Sequence, residues 1–363
     1  MLNEKTHKLR QKALAIFLLI YLISIFFLYL DKSIFFKCVI VMSPFFILAY
    51  FATQKKIENI ASLCFFTLFF SITILSSSIV QGQELVESFH LVALSILNSY
   101  LAYILNQEPI SKKVPKIYLI GLFTLCFFLM LYGVNPNQFF PKSSRNTFSW
   151  LVLTGTSLFY FIFTQEKIRH NYPLWPVFFS FLISIWAQGR SGIIATGILF
   201  CGIIFCNFRD QKNWKKLFYV LGVFISLTLL MSLFIHFQEA SIKGVIRRFS
   251  YEGLRESHRI SIIKNYFDNL KNVKDIIFGF NIKYDPFMGR WHFNLHNSFL
   301  QLHYRVGISS VFIIFLIIKG VIRKSKNTPL FFFVALALFL RILTDTDAFI
   351  QPYDFLLLYF IFN

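Results

Sequence analysis

The sequence predicts an all-α membrane protein that crosses the bilayer many times, and three observations lead to this fold class. Hydrophobic residues make up 56% of the 363 residues and charged residues only 15%, whereas charged residues supply about a quarter of an average soluble domain. The apolar residues fall in long runs, broken by proline, glycine and clusters of charge. Most of these runs approach the roughly 20 residues that a membrane-spanning helix needs.

Dividing the chain at these breaks predicts about twelve transmembrane helices. The predicted spans are residues 13–30, 36–53, 59–80, 86–106, 117–134, 147–164, 173–188, 191–207, 217–236, 294–318, 329–343 and 349–362. The first run lacks a small-residue cleavage site, so we expect a retained signal anchor. The chain then divides into nine spans with short loops over residues 1–236, one long polar loop over 237–293, and three further spans over 294–363.

The basic residues predict the orientation. With the N-terminus in the cytoplasm, most Lys and Arg residues of the short loops lie on the cytoplasmic side, as the positive-inside rule requires. The long loop then lies outside, where its apolar residues recur at helical spacing and predict an amphipathic helix on the membrane surface. These residues are Ile260, Ile263, Tyr266, Phe267 and Leu270. The net charge of +19 indicates contact with anionic lipids, and no soluble basic domain is present for nucleic-acid binding.

Arginines of the predicted outer face are the first candidate site residues. Arg190 lies in the segment QGRSG, whose glycines allow a tight turn between two spans. A guanidinium there can hold a phosphate or pyrophosphate in two hydrogen bonds, and the helix that follows adds its positive end. Arg145 in an Asn-rich outer loop, and Arg259 or Arg255 on the loop helix, are further candidates. The alternative for each is a solvated or interfacial arginine that contacts lipid headgroups.

The segment HFNLHNSFLQLHYRVG, where the long loop re-enters the bilayer, supplies a candidate base. A neutral imidazole at His296 can accept a proton from a hydroxyl group near neutral pH, and Asn297 can orient it or bind hydroxyls. The alternative is that Asn294 or Asn297 caps the next helix, and spacing leaves both open. The His and Cys residues do not form a tight cluster such as HExxH, so no metal site is expected.

Asp345 and Asp347 lie in the last predicted outer loop, shortly after Arg341. Some glycosyltransferases hold a metal–nucleotide with a D-x-D element, but this pattern is common by chance and the outer compartment supplies no nucleotide sugar. We therefore expect a structural or sugar-binding role, with pairing to Arg341 or to an outer-loop arginine. The chain has no P-loop, G-x-S-x-G, C-x-x-C or Rossmann pattern, so neither a cofactor nor ATP-driven or hydrolase chemistry is expected.

Three segments, taken in order, resemble the bacterial O-antigen polymerase and O-antigen ligase superfamily. They are NPNQFFPKSSRN before a span, QGRSG in the turn, and LHNSFLQLHYRVG after the long loop. Their order, their common face and the single long outer loop carry the resemblance, which runs from about residue 130 to the C-terminus. It implies a GT-C-like fold in the bacterial inner membrane, with the active face in the periplasm.

The resemblance also implies an inverting, metal-independent glycosyltransferase that acts on undecaprenyl-pyrophosphate-linked glycans. By position, Arg190 matches the family's turn arginine, His296 its histidine, and Arg145 an arginine of polymerase-type members. Arg259 matches the outer-loop arginine, with Arg255 as the alternative because no glycine directly precedes Arg259. The SSRN and TDTDAF elements favour a repeat-unit polymerase, for which a chain-length regulator is an expected partner. The alternatives are an O-antigen ligase, a lipid-linked oligosaccharide flippase or other transporter, and a non-catalytic scaffold.

Overall fold

The computed structural model is helical wherever it describes the chain. The described residues are 2–30, 33–52, 60–141, 145–165, 171–209, 238–247 and 259–362, with a few isolated positions between 209 and 259. They contain no strand, so the all-α prediction is confirmed for this part of the chain. Most of the predicted span 217–236, and the candidate Arg255, lie outside the described residues.

The first two thirds of the chain supply the long helices. They are α1 (Leu2–Tyr29), α2 (Ser33–Ala52), α3 (Ile60–Val80), α4 (Leu85–Gln107), α5 (Lys113–Leu131), α6 (Pro136–Phe139), α7 (Asn146–Gln165), α8 (Trp175–Trp186) and α9 (Arg190–Arg209). Among the described residues, seven helices are long and apolar enough to cross a membrane, namely α1 to α5, α7 and α9. Pro136 and Pro176 stand in the first turns of α6 and α8, where a proline costs no helical hydrogen bond.

The remaining helices lie between residues 239 and 358. They are α10 (Glu239–Arg247), α11 (Arg259–Asp268), α12 (Val273–Phe278), α13 (Pro286–Gly289), α14 (Ser298–Val306), α15 (Ser309–Asn327), α16 (Leu330–Ile342) and α17 (Phe355–Leu358). The predicted amphipathic helix is present as α11, and it has both a face buried in the protein and an exposed apolar face. Ile262 and Tyr266 are each 1% exposed, whereas Ile260 and Phe267 are 63% and 57% exposed. The buried pair packs against α14 and the loop before it, so protein contacts hold this helix on one side.

The predicted number of twelve spans is not reached among the described residues. Residues 173–188 contain only the twelve-residue α8, which is about 18 Å long and shorter than a hydrocarbon layer of about 30 Å. Residues 294–318 are divided between α14 and α15 at Gly307, where φ is +59° and a Cβ would lie 1.7 Å from the carbonyl oxygen of Ile277. Residues 349–362 contain one short helix, α17.

One continuous apolar core joins the long helices, with α7 packed against α5, α8 and α9. The polar contacts between loops fall at the two ends of this bundle. At one end, Arg10 pairs with Glu108. At the other end, Arg145 donates a hydrogen bond to Gln188. The loops around residues 341–347 and 294–297 lie at this same end. The loops predicted to share the outer side thus gather at one end, which we call the polar end.

Candidate functional site

The turn that carries Arg190 is fixed by close packing against the start of α7. Its positive φ falls on Gln188, at 55°, and α9 begins at Arg190. A Cβ at Gly192 would lie 2.3 Å from the Cβ of Ser149, so only glycine lets α9 approach α7 this closely. This glycine therefore serves close packing of two helices, whereas the sequence pattern suggested a role in the turn itself.

Arg190 and Arg259 are the first residues of α9 and α11, and both lie at the polar end. Burial lowers the pKa of the Arg259 guanidinium, Asp345 raises it, and the positive charges of Arg341 and Arg190 lower it further. The three arginines therefore lie within electrostatic reach of one another. Because arginine stays protonated in proteins, the polar end concentrates positive charge where two helices also direct their positive ends.

Arg341 is completely buried, at 0% exposed, and forms ion pairs with two carboxylates. Its Nη1 lies 3.4 Å from Oδ2 of Asp345, and its Nη2 contacts Asp347. This is one of the two pairings expected from the sequence. Burial raises the pKa of Asp347 to about 7 against the opposing charge of Arg341, and Asp345 adds to the rise. An unpaired buried guanidinium would be strongly destabilising, so these carboxylates first of all neutralise Arg341.

Asp345 connects Arg341 to two other segments, the start of α7 and the residues at the start of α14. Its Oδ2 accepts a hydrogen bond from Nδ2 of Asn146 at 3.3 Å, and its carbonyl oxygen accepts one from Oγ of Ser298 at 2.7 Å. Its Oδ1 lies 4.0 Å from Nδ1 of His296. Burial raises the pKa of this carboxyl, but the positive charges around it, that of Arg341 above all, hold it below the ordinary value. An ionised carboxylate therefore faces the imidazole.

His296 is held in a strained backbone conformation just before α14. Its φ is 48°, which residues other than glycine rarely adopt, and its backbone N–H donates to Oδ1 of Asn294 at 2.7 Å. Such strain costs about 1–3 kcal/mol and clusters at functional sites. Burial lowers the pKa of the imidazole, Asp345 raises it and Arg259 lowers it, with a net decrease. At neutral pH the ring is therefore uncharged and able to accept a proton.

Asn297 caps α14, as one of the two alternatives that the spacing left open predicted. Its Oδ1 accepts hydrogen bonds from the backbone N–H groups of Phe299 at 2.9 Å and Leu300 at 3.1 Å. Its Nδ2 donates to the carbonyl oxygen of Leu343 at 3.2 Å. The amide is occupied at both ends by structural contacts, and it fixes the start of α14 beside His296.

Arg145 lies at the polar end, next to the turn that precedes α9. Its Nη1 donates to Oε1 of Gln188 at 3.4 Å. Together with Gln188 and Arg247 of α10 it lines a polar cavity of about 510 Å³. The sequence-predicted arginines thus divide into two groups: Arg259 acts on His296 and is itself within reach of Arg190, and Arg145 faces this cavity.

Asn146 and Gln188 are two polar residues of the site that were not predicted from the sequence as site residues. Asn146 and Gln188 hold Asp345 and Arg145 respectively, and both lie inside the segments NPNQFFPKSSRN and QGRSG, so the signal was present in the motifs themselves. Arg247 had no such signal, since its place depends on how α10 packs against Gln188. A Cβ at Gly244 of α10 would lie 2.7 Å from Oε1 of Gln188.

Among the described residues, no three His, Cys, Asp or Glu side chains are grouped closely enough to hold a metal ion. No protein-family model matches the sequence, and comparisons with curated proteins and with solved structures likewise found no match. The geometry of the polar end and the three sequence segments are therefore what connects this chain to a function.

Proposed function

We propose that this protein is an inverting, metal-independent glycosyltransferase that polymerises undecaprenyl-pyrophosphate-linked repeat units on the periplasmic face of the bacterial inner membrane. One observation supports this most strongly: Arg259 and His296, from two distant segments, lie within electrostatic reach of the ionised Asp345, and the charge of Arg190 acts on Arg259. The reaction class comes from the sequence resemblance. The arrangement supports it because it provides both a cationic surface and a neutral base.

The two arginines suit the leaving group of this reaction. When the bond between the sugar C1 and the phosphate oxygen breaks, the lipid pyrophosphate departs with its negative charge. Guanidinium groups can accept that charge through paired hydrogen bonds, and a partly buried site strengthens the interaction. Arg259 at the start of α11 and Arg190 at the start of α9 are the groups that we assign to this role.

His296 suits the incoming hydroxyl. As its oxygen attacks C1 from the face opposite the pyrophosphate, the hydroxyl proton passes to the imidazole and the anomeric centre inverts. Nδ1 faces Asp345, which leaves Nε2 as the atom that accepts the proton. The imidazolium so formed is then stabilised by the Asp345 carboxylate, as in other bases that are oriented by an acid.

A groove between α1 and α5 suits the hydrocarbon part of a lipid-linked donor. It has a volume of about 310 Å³ and an apolar lining that includes Phe26 of α1 and Leu122 of α5. Next to Leu122, a Cβ at Gly121 would meet nothing within 4 Å. Further along α5, Met130 lines the polar cavity. One helix thus leads from an apolar groove to the polar end, as a substrate with a lipid tail and a sugar head requires.

Electrophoresis of the surface glycolipid from a deletion strain tests the proposal. A polymerase transfers the growing glycan to the next lipid-linked repeat, so its loss should leave lipid A–core carrying a single repeat unit. A ligase transfers finished polymer to lipid A–core, so its loss should leave bare core while lipid-linked polymer accumulates. Unchanged long-chain surface glycan and polysaccharide in the deletion strain would exclude both activities.

A further inference from the structure

The polar cavity beside Gln188 is built by the tertiary structure. It has a volume of about 510 Å³, within the range of about 300–1,000 Å³ that small-molecule sites occupy. Its walls come from the end of α5, from α6, from Arg145, from the turn before α9 and from α10. No single loop forms it, so the cavity depends on the packing of these segments against one another.

Cationic and amide side chains line the cavity. Arg145 and Arg247 supply two guanidiniums, and none of the described lining residues is Asp or Glu. The amides are those of Asn135, Asn137, Gln188 and Gln238. Guanidiniums pair with carboxylate or phosphate oxygens, and amide groups can both donate to and accept from hydroxyls. A ligand that carries one acidic group and several hydroxyls can pair with the guanidiniums and form hydrogen bonds with the amides.

We propose that this cavity binds an anionic sugar, that is, a monosaccharide unit bearing a carboxylate or a phosphate. Gln188 lines the cavity, and Arg190 of the reacting group follows two residues later, at most about 7 Å along the chain. A sugar in the cavity would therefore lie close to Arg190, which the proposed function assigns to the leaving group. The claim that this sugar is part of the transferred glycan rests on the proposed function. The claim that the cavity binds an anionic sugar does not.

Calorimetric titration of the full chain in lipid nanodiscs tests this. Four probes are used: glucuronate, glucose 6-phosphate, glucose and inorganic phosphate. Both anionic sugars should bind at least tenfold more tightly than glucose and than inorganic phosphate, and the tighter of the two identifies the acidic group. Arg247→Gln should weaken binding of that sugar at least tenfold, with thermal unfolding of the variant checked against the wild type.

Lys243→Gln is the matched control. Lys243 lies one turn before Arg247 on α10, is 73% exposed and pairs with Glu239 at 2.6 Å, outside the cavity lining. Equal weakening by this variant, binding of inorganic phosphate as tight as that of the anionic sugars, or no saturable binding would overturn the proposal. Because binding is measured without turnover, its failure is distinguishable from that of the proposed function, which the glycolipid pattern of the deletion strain decides.

Discussion

Nδ1 of His296 lies 4.0 Å from Oδ1 of Asp345, and Oδ2 of the same carboxylate lies 3.4 Å from Nη1 of the buried Arg341. One carboxylate thus joins the strained residue before α14 to the cation at the end of α16. Since Arg341 keeps Asp345 ionised, the same group can orient His296 and stabilise its protonated form. The orientation and protonation of His296 therefore depend on the loop that carries Asp345.

Arg190→Ala and His296→Ala should each abolish long-chain glycan while the protein still accumulates in the membrane. Loss of a base or of a charge-stabilising group typically lowers a rate by 10²-fold or more, which is enough to remove polymer bands from a gel. Arg209→Ala, at the other end of α9, is the control and should leave the banding normal. Normal banding in either site variant would remove that residue from the mechanism.

The rate of glycan transfer should fall at low pH with a midpoint below the ordinary histidine value of about 6.5, because burial lowers the pKa of His296 and only the neutral ring accepts a proton. Asp345 raises this pKa and Arg259 lowers it. Asp345→Asn should therefore move the midpoint of the residual activity to lower pH, and Arg259→Gln should move it to higher pH. A midpoint that stays in place in both variants would show that another group titrates.

Gly192→Ala should destabilise the protein, since its Cβ would lie 2.3 Å from the Cβ of Ser149 and overpacking costs about 1–3 kcal/mol. Ser149→Gly in the same chain should restore much of the loss by removing the atom that clashes. Thermal unfolding in detergent measures both variants. Gly121→Ala is the control, since its Cβ would meet nothing within 4 Å, and an equal fall in Tm there would refute the packing argument.

Transfer by the purified protein should continue in EDTA, because arginines are proposed to supply the charge that a metal provides in other glycosyltransferases. The rate with and without the chelator, on a lipid-linked oligosaccharide, is the measurement. Complete loss that magnesium restores would instead assign a metal to Asp345 and Asp347, the D-x-D pair.

The helices and the grouping of the polar segments were predictable to different degrees. The long apolar runs predicted α1 to α5, α7 and α9. In an apolar surrounding, a helix satisfies its own backbone N–H and C=O groups, so each run needs few other contacts to become helical. The other predicted spans are not found as such helices among the described residues. Hydropathy did not reveal that Gly307 would meet the backbone of Ile277 and end α14, since that contact joins residues distant in sequence.

The candidate site shows the same division. The segments around Arg145, Arg190 and His296 could be placed on one face from the alternation of loops. Their partners could not, because spacing alone does not show that Asn297 caps α14, which begins at Ser298. Nor does helical spacing in α11 show which residues pack against the protein, and so the burial of Ile262 was not predicted.

By itself, the sequence determined that the described part of this chain is helical, and it predicted which polar segments share one end. Of the twelve spans that it predicted, seven are found among the described residues as helices long and apolar enough to cross a membrane. These properties follow from composition and from the length of each run, which are local. Only the tertiary structure decided that Asp345 stands between Arg341 and His296, and that Arg145 faces a separate cavity with Arg247. Electrostatic contacts act over a few ångströms between residues distant in sequence, so the packing of the helices settles them.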